Sequence, residues 1–200
     1  MKVKISPGNS KMGAIASVSL PAIKTCRKNC ACSIKCYAHK LERIRKNVRE
    51  AYEHNLRLLL EDPDTYWREV EGTIMANRFF RFHVSGDIPD KEYLLRMLEV
   101  TKRNPHCQIL CFTKMYELVN EVRAEYGEFP SNLHLIFSVW PGIELVNPYN
   151  FPTAHVRFKD GSTTADEWAV DCGGNCTECA ITDEGCWILE LGGQIVFDEH

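Results

Sequence analysis

The sequence predicts an α/β protein in which a mostly parallel sheet forms a partial (β/α) barrel, with cysteine-rich loops near both ends of the chain. Short strand-like segments alternate with longer amphipathic helical patterns, which is typical of right-handed βαβ units. The 200 residues, 44% hydrophobic and 26% charged, suit an ordinary globular domain. We expect a single domain over residues 1–200. Its parts are a first strand with a cysteine loop (1–36), βα units (37–140) and an acidic C-terminal part (141–200).

The predicted elements follow from hydrophobic periodicity and turn residues. The strands are 14–20, 79–84, 108–113, 133–139, 155–158 and 193–197, and the helices are 37–60, 63–76, 90–102 and 115–126. Pro21 ends the first strand, and Pro63 starts a helix after the break at Asp62. Because ligands of such sheets gather at the carboxyl ends of parallel strands, we expect Ser85-Gly86-Asp87 and Thr113-Lys114 to lie near a site.

Eight of the ten cysteines form two groups, and they predict bound metal. The first cysteine group is Cys26, Cys30, Cys32 and Cys36; the second cysteine group is Cys172, Cys176, Cys179 and Cys186. Closely spaced thiolates can surround one soft metal centre, so zinc, copper(I) and iron–sulfur clusters are the candidates. We expect one or two [4Fe–4S] clusters, with zinc as the alternative.

The spacing within each group refines this expectation. The second group reads C-x3-C-x2-C-x6-C, with Gly173, Gly174 and Gly185 allowing the backbone to close around a centre. Zinc sites more often show two C-x2-C pairs, so the uneven spacing favours iron–sulfur. The first group reads C-x3-C-x-C-x3-C. Either all four thiols ligate, or three do and leave a metal position open, in which case Cys32 is the least suited.

The other two cysteines and the flanking sequence bear on the cellular setting. Cys107 and Cys111 lie in apolar strand-like segments and are predicted to be core residues. The amino terminus lacks the apolar region of a secretory signal, and no run of about 18 apolar residues predicts a membrane span. We therefore expect a cytoplasmic protein, in which structural disulfides are disfavoured.

Charge is distributed unevenly although the net charge is only −3. Residues 24–49 hold nine basic residues and one acidic residue, Glu42, whereas residues 160–200 hold ten acidic residues and no Lys or Arg. The basic segment is either a binding surface for nucleic acid or a host protein, or a solvated helix face attracted to the acidic tail. That attraction would help to bring the two cysteine groups together.

Three further side chains are candidates with competing explanations. His83 could line the site or be a satisfied, half-buried histidine. His39 has the spacing of a zinc ligand after Cys36, or faces solvent on the basic helix. Asp87 could hold a ligand's amine or cap the following helix. The sequence shows neither a Gly-rich phosphate loop nor a hydrolase nucleophile elbow.

A series of short motifs resembles the bacteriophage gene product 88 family over nearly the whole chain. The motifs are Ser19-Leu-Pro-Ala22, Thr25-Cys26, Cys36-Tyr37-Ala38, Arg81-Phe-His-Val-Ser-Gly-Asp87, Phe112-Thr113-Lys114, Cys176-x2-Cys179 and Cys186-Trp187. The resemblance implies a phage or prophage origin and the cytoplasm of a bacterial host, and the family brings no established reaction.

A strand, a cysteine loop and then Val84-Ser-Gly-Asp-Ile-Pro89 also resemble the opening of radical S-adenosylmethionine enzymes, which are partial β/α barrels. The resemblance implies that Cys26, Cys30 and Cys36 bind three irons of a four-iron cluster whose fourth iron chelates S-adenosylmethionine. It further implies that Ser85, Gly86 and Asp87 hold the cofactor amine and that the second group binds an auxiliary cluster. The first loop departs from the family's C-x3-C-x2-C, since it reads C-x3-C-x5-C across those three cysteines.

Two functions therefore remain open from the sequence. One is an iron–sulfur redox enzyme of the radical S-adenosylmethionine type with an unknown substrate. The other is a non-catalytic iron–sulfur or zinc protein whose basic segment, residues 24–49, binds nucleic acid or a host protein.

Overall fold

The computed structural model describes residues 2–199, which contain eight strands and six helices. The strands are β1 (Ile5–Ser6), β2 (Ala16–Val18), β3 (Phe79–Phe82), β4 (Gln108–Thr113), β5 (Leu133–Ser138), β6 (Thr153–Arg157), β7 (Val170–Asp171) and β8 (Gln194–Asp198). The helices are α1 (Tyr37–Ile44), α2 (Lys46–Glu61), α3 (Pro63–Met75), α4 (Lys91–Arg103), α5 (Tyr116–Tyr126) and α6 (Cys176–Thr182). Two 3-10 helices span Ala31–Lys35 and Gly185–Trp187.

All eight strands join one sheet in the order β1-β2-β3-β4-β5-β6-β8-β7. β1 pairs antiparallel with β2, and every other neighbouring pair is parallel. From β2 to β6 the strands lie side by side in chain order, with helices in the crossovers that precede β3, β4 and β5. The predicted α/β class and the mostly parallel sheet are confirmed.

One side of the sheet, here called the helix face, packs against α2 to α5. Alternate strand residues point to it, among them Phe80 and Phe82, which are fully buried, and Ile109 on β4. Tyr66 and Met97 meet them from the helices and are also fully buried. Fully burying a side chain of this kind contributes about 2 kcal/mol. None of the helices within residues 2–199 has the length and apolar character needed to cross a bilayer.

The other side of the sheet, here called the cysteine face, carries no layer of long helices within the described chain. Leu110, Ile136 and Ile195 point to it, and they pack against Cys186 and Trp187 from the second cysteine segment. The second group is therefore built into the core of this face.

The predicted helix 37–60 is wrong as one element, because α1 and α2 break at Arg45, where the backbone is extended (φ −110°, ψ 99°). The reason lies in the buried residues. α1 buries Ala38 and Glu42, whereas α2 buries Asn55 and Leu58. At 3.6 residues per turn these two stripes are roughly half a turn out of phase, so one straight helix could not bury both.

The second cysteine segment, predicted to be a loop, contains β7 and α6 instead. Asn175 caps α6, because its side-chain oxygen accepts hydrogen bonds from the amides of Thr177 (3.1 Å) and Glu178 (3.3 Å). α6 has only seven residues and β7 only two, so neither displays a readable hydrophobic period.

Candidate metal centres

The first cysteine group lies in the loop that leaves the carboxyl end of β2, as expected. The 3-10 helix Ala31–Lys35 runs through this loop. It brings the Cys30 and Cys32 sulfurs to 2.7 Å from each other. The turn thus places these two thiols together, and which of the four thiols ligate stays a prediction.

Charged groups at the ends of β3 and β4 face this loop. Burial raises the pKa of Cys26 to about 12, and the nearby Asp87 carboxylate adds to the effect. Burial also raises the pKa of Cys32 to about 12, whereas the positive charge of Lys114 acts in the opposite direction. The Lys114 ammonium donates a 2.7 Å hydrogen bond to the hydroxyl of Ser138 at the end of β5. Thiols, a carboxylate and a lysine thus share the carboxyl edge of the sheet.

The turn Ser85-Gly86-Asp87 lies at this edge and holds the first cysteine loop in place. The Ser85 hydroxyl donates to the buried carboxylate of Glu42 (2.7 Å), which also accepts from the Ala22 amide (2.8 Å). Gly86 has φ +79°, and a Cβ there would lie 2.6 Å from the Thr25 hydroxyl oxygen. Only glycine fits so close to the loop in this left-handed conformation.

Asp87 accepts hydrogen bonds from three neighbours. They are the Thr113 hydroxyl (2.6 Å), the Lys114 amide (2.9 Å) and its own neighbour, the Ile88 amide (2.8 Å). Burial raises the pKa of Asp87, and these hydrogen bonds oppose that rise. The helix-capping alternative is wrong, because Asp90 caps α4 by accepting from the Tyr93 amide. Contact of Ser85, Gly86 and Asp87 with a cofactor stays a prediction.

His83 follows β3 and differs from the satisfied histidine that the sequence suggested. It is 4% exposed, has φ +59°, and neither ring nitrogen has a hydrogen-bond partner within the described chain. Burial lowers its pKa to about 3, with Arg81 adding to the effect. His39 lies on α1, and its backbone amide donates to the Cys36 sulfur at 3.4 Å.

The four thiols of the second cysteine group line one pocket on the cysteine face. Cys172 follows β7, Cys176 and Cys179 lie on α6, and Cys186 lies in the second 3-10 helix. Arg81, Phe112 and Trp187 are among the other lining residues. Gly185 has φ +57°, a left-handed conformation that favours glycine, and a Cβ added there or at Gly173 would be in ordinary contact with the Cys179 sulfur (3.5 and 3.6 Å).

The electrostatics of this pocket depend on burial and on a nearby guanidinium. Burial raises the pKa values of Cys176 and Cys186, and the positive charge of Arg81 opposes the rise at both thiols. The pKa of Cys179 is also raised by burial, with Cys172 adding to the effect. The Gly174 amide donates to the Cys172 sulfur at 3.4 Å. Before any metal binds, the three thiols with raised pKa values hold their protons at neutral pH.

The second group docks toward the amino ends of the strands. The Thr177 hydroxyl accepts from the Ala14 amide (2.9 Å) and donates to the Met12 carbonyl (2.8 Å), both just before β2. Trp187 packs against Phe79 and His134, at the starts of β3 and β5. These contacts of α6 lie at the amino end of β2, whereas the first group follows its carboxyl end.

Within residues 2–199, the basic segment and the acidic tail form a single ion pair, between Lys35 and Glu199 (3.0 Å).

Other basic side chains concentrate where α1 meets α2. The basic corner is Arg43, Arg45, Lys46 and Arg49, and all four residues are exposed. Lys46 lies 3.6 Å from Glu50, whereas the three arginines form no ion pair with any described residue.

The remaining cysteines occupy the predicted places. Cys107 and Cys111 are fully buried on the helix face, and burial raises both pKa values. All ten cysteines are free thiols. Within residues 2–199, no three His, Cys, Asp or Glu side chains already converge in a geometry that ligates one metal ion. The second group thus surrounds one pocket and the first group shares one loop, and rotation of the thiol side chains is needed before either group can close on a metal.

Sequence reasoning missed Arg81, the one cation among the described residues that line the second pocket. The signal was present in Phe79-Phe-Arg-Phe82, where a charged residue stands among aromatic residues in a strand. Period-two alternation puts such a residue on the face opposite Phe80 and Phe82, which is the face that the second cysteine group covers. It also missed Glu42, whose helical spacing from Ala38 places it on the buried side of α1.

Comparisons with known proteins point to one group of phage proteins. The model of the family described as "Gene product 88" matches residues 2–182, a range that includes every cysteine of both groups except Cys186. The Gene 88 protein of Mycobacterium phage L5 is 27% identical over 89% of this chain and 87% of its own length. The Gene 88 protein of Mycobacterium phage D29 is 30% identical over 67% of this chain and 60% of its own length. No solved structure matches the chain.

Proposed function

The chain belongs to the gene product 88 family, and we propose that it is an iron–sulfur protein whose two cysteine groups hold separate clusters. The observation that carries the proposal is the pocket on the cysteine face, which four thiols line together with a guanidinium. Thiolates are the ligands that iron–sulfur clusters use, and a neighbouring cation favours their charged form. The setting that suits such thiols is the reducing cytoplasm of a bacterial host.

The donor set at both groups fits a soft metal centre. Because the pKa values of Cys26, Cys176 and Cys186 are raised, loading must displace protons, and the thiol side chains must turn inward to share one centre. Backbone amides already point at two sulfurs, those of Cys172 and Cys36. Such N–H···S contacts suit metal-bound thiolates of either kind, and the uneven spacing of the second group favours iron–sulfur over zinc.

The finer form of the proposal is a redox enzyme that uses S-adenosylmethionine at the first group, in a sheet that curves as a partial barrel. Its support is the position of the first group at the carboxyl edge of parallel strands, where such sheets bind ligands. Cys26, Cys30 and Cys36 would ligate, and the bound cluster would supply the electron that cleaves the cofactor. Ser85 and Asp87 have internal partners, so a cofactor amine would replace one of these.

Anaerobic purification followed by iron, sulfide and zinc analysis tests the metal. The expected result is a brown protein with iron and sulfide in equal amounts. Cys36→Ala should remove the iron of the first group and Cys176→Ala that of the second. Cys107→Ala is the matched control and should leave the iron content unchanged, because this thiol is buried on the helix face. Zinc in place of iron, or a folded protein with neither element, contradicts the proposal.

The proposed use of S-adenosylmethionine is tested on the same anaerobically purified protein. Equilibrium dialysis should show binding that depends on Cys36, and added reductant should release methionine from the bound cofactor. An iron-loaded protein that neither binds nor cleaves S-adenosylmethionine contradicts the enzyme and leaves the iron–sulfur assignment in place.

The basic corner supports a second candidate function, binding of nucleic acid. Three arginines there are exposed without a carboxylate partner among the described residues, and Ile44 beside them is 70% exposed. Unpaired guanidinium groups on a fixed helix junction are free to neutralise phosphates.

Binding of a fluorescent oligonucleotide at varied salt tests this candidate. Arg43→Glu with Arg45→Glu should abolish the binding, and its matched control is Arg78→Glu with Lys102→Glu, which reverses as much charge at exposed sites elsewhere. Affinity in the unaltered chain should fall with salt at a slope of about −0.9 per phosphate contacted. Equal loss in both double variants, or no binding at low salt, contradicts the candidate.

A further inference from the structure

Arg81 lies on β3 with its side chain on the cysteine face. Phe80 and Phe82, on either side of it, point to the helix face and are fully buried. The Arg81 guanidinium carbon lies 4.8 Å from the centre of the Phe112 ring, and the same guanidinium lines the pocket of the second cysteine group. The side chain is thus held between an aromatic ring and four thiols.

The charge of Arg81 has no anionic partner in the part of the chain that the structure describes. No described carboxylate forms an ion pair with it, and its Nε atom is buried without a hydrogen-bond acceptor. A guanidinium does not lose its proton in a protein, so the charge cannot be relieved by titration. Arg81 as a whole is half-buried, so its uncompensated charge is only partly solvated and costs free energy.

The lining of the pocket shows what can compensate this charge. The described lining residues are thiols, apolar and aromatic side chains, an asparagine and a glycine, and no aspartate or glutamate is among them. Neutral thiols leave the positive charge unopposed. Four thiolates around a dication, or around a four-iron cluster in its ordinary oxidised state, carry a net negative charge directly beside the guanidinium.

We propose that Arg81 is the half-buried counter-ion of an anionic thiolate–metal centre held by Cys172, Cys176, Cys179 and Cys186. The inference rests on the proposed metal function and adds the charge of the bound centre and the residue that stabilises it. Arg81 does not ligate the metal; it lowers the free energy of the charged, loaded state relative to the metal-free state.

Two opposite effects of Arg81→Met follow. The loaded protein loses its counter-ion, and we expect metal affinity at the second group to fall about 10- to 100-fold, the usual effect of losing a residue that supports metal ligands. The metal-free protein loses a half-buried charge that has no carboxylate partner among the described residues, so its urea midpoint should stay equal or rise. A purely structural role would lower the metal-free midpoint instead. Arg81→Lys keeps the charge and should keep most of the affinity.

Cobalt(II) titration of the full chain under reducing conditions measures the affinity, because thiolate–cobalt bands report bound sulfur ligands. The part of the cobalt absorption that is lost in Cys176→Ala reports binding at the second group. Arg78→Met is the matched control, since Arg78 also lies over a ring, that of Phe79 at 5.2 Å, and is exposed. It should leave the titration unchanged.

The outcomes separate the inference from its premise. Weaker cobalt binding in Arg81→Met, with a metal-free midpoint at least as high as in the unaltered chain, supports the counter-ion. Affinity within about threefold of the unaltered chain, which is under 1 kcal/mol, overturns the Arg81 assignment alone. A urea midpoint of metal-free Arg81→Met below that of the metal-free unaltered chain also overturns the Arg81 assignment. An unaltered chain that takes up no cobalt at the second group overturns the proposed function, and the counter-ion with it.

Discussion

Replacing Gly86 by alanine should distort the first cysteine loop and destabilise the protein more than the same change at Gly127 or Gly72. Gly86 has φ +79°, and a Cβ there would lie 2.6 Å from the Thr25 hydroxyl oxygen and 2.7 Å from the Leu20 carbonyl oxygen. Thr25 immediately precedes Cys26. The new methyl group therefore pushes directly on the base of the loop.

The loss of unfolding free energy in Gly86→Ala has two parts. Holding alanine in the left-handed region costs about 1 kcal/mol. Inserting a methyl group into an occupied space costs about 1–3 kcal/mol more, because the Leu20 carbonyl belongs to the backbone and cannot turn aside as a flexible side chain does. We expect Gly86→Ala to lower the free energy of unfolding by about 3 kcal/mol.

Gly127 and Gly72 provide matched controls. Gly127 has φ +81° with nothing within 4 Å of an added Cβ, so Gly127→Ala reports the backbone cost alone, about 1 kcal/mol. Gly72 lies inside α3, also in open space, and Gly72→Ala should stabilise the protein by about 0.5–1 kcal/mol. Urea unfolding at constant m-value measures all three. Equal losses in Gly86→Ala and Gly127→Ala would refute the close contact with the loop.

Three further predictions concern single side chains. His83→Asn should reduce the acid sensitivity of the protein. With a native pKa of about 3, the unaltered chain takes up the His83 proton only on unfolding, so from about pH 7.5 to about pH 5 its free energy of unfolding should fall by about 2 kcal/mol more than that of the variant. Urea titrations measure this, and equal losses would contradict it. Cys111→Ser buries a hydroxyl on the helix face and should lower stability by about 2 kcal/mol with no change in metal content; lost metal would make Cys111 a ligand. Lys114→Met removes the positive charge beside Cys26 and Cys32 and should weaken cobalt binding at the first group about tenfold, while unchanged binding would remove Lys114 from the site.

Much of the scaffold could be predicted because its periodic segments are long enough to show a repeat. β4 and β5 have six residues each, and their predicted bounds lie within one residue of the observed ones. β1 and β7 have two residues each, and a period of two cannot be read from two positions. The break at Arg45 escaped because no glycine or proline marks it, and it results from which sides of α1 and α2 are buried.

The sequence was enough to predict which cysteines form the candidate sites, but it did not predict which other side chains lie beside them. Cysteine spacing alone selected both thiol groups, since ligands of one centre can be close in sequence. The partners of these thiols lie far along the chain: Lys114 and Asp87 beside the first group, and Arg81 beside the second. Such contacts depend on the order of strands in the sheet. The burial of the His83 ring without a hydrogen bond was likewise hidden, because it depends on how neighbours from several parts of the chain are arranged.

The hydrogen bonds of Thr177 to Met12 and Ala14 join positions 165 and 163 residues apart. A ribosome that adds about 5–20 residues per second needs on the order of ten to thirty seconds to make the intervening chain. Through that interval the nascent segment before β2 lacks its docking partner. The pocket of the second group is completed last of all, because it also needs Cys186. On the proposed function, metal delivered during translation would meet the thiols of the first loop long before those of the second, and the first group would load first.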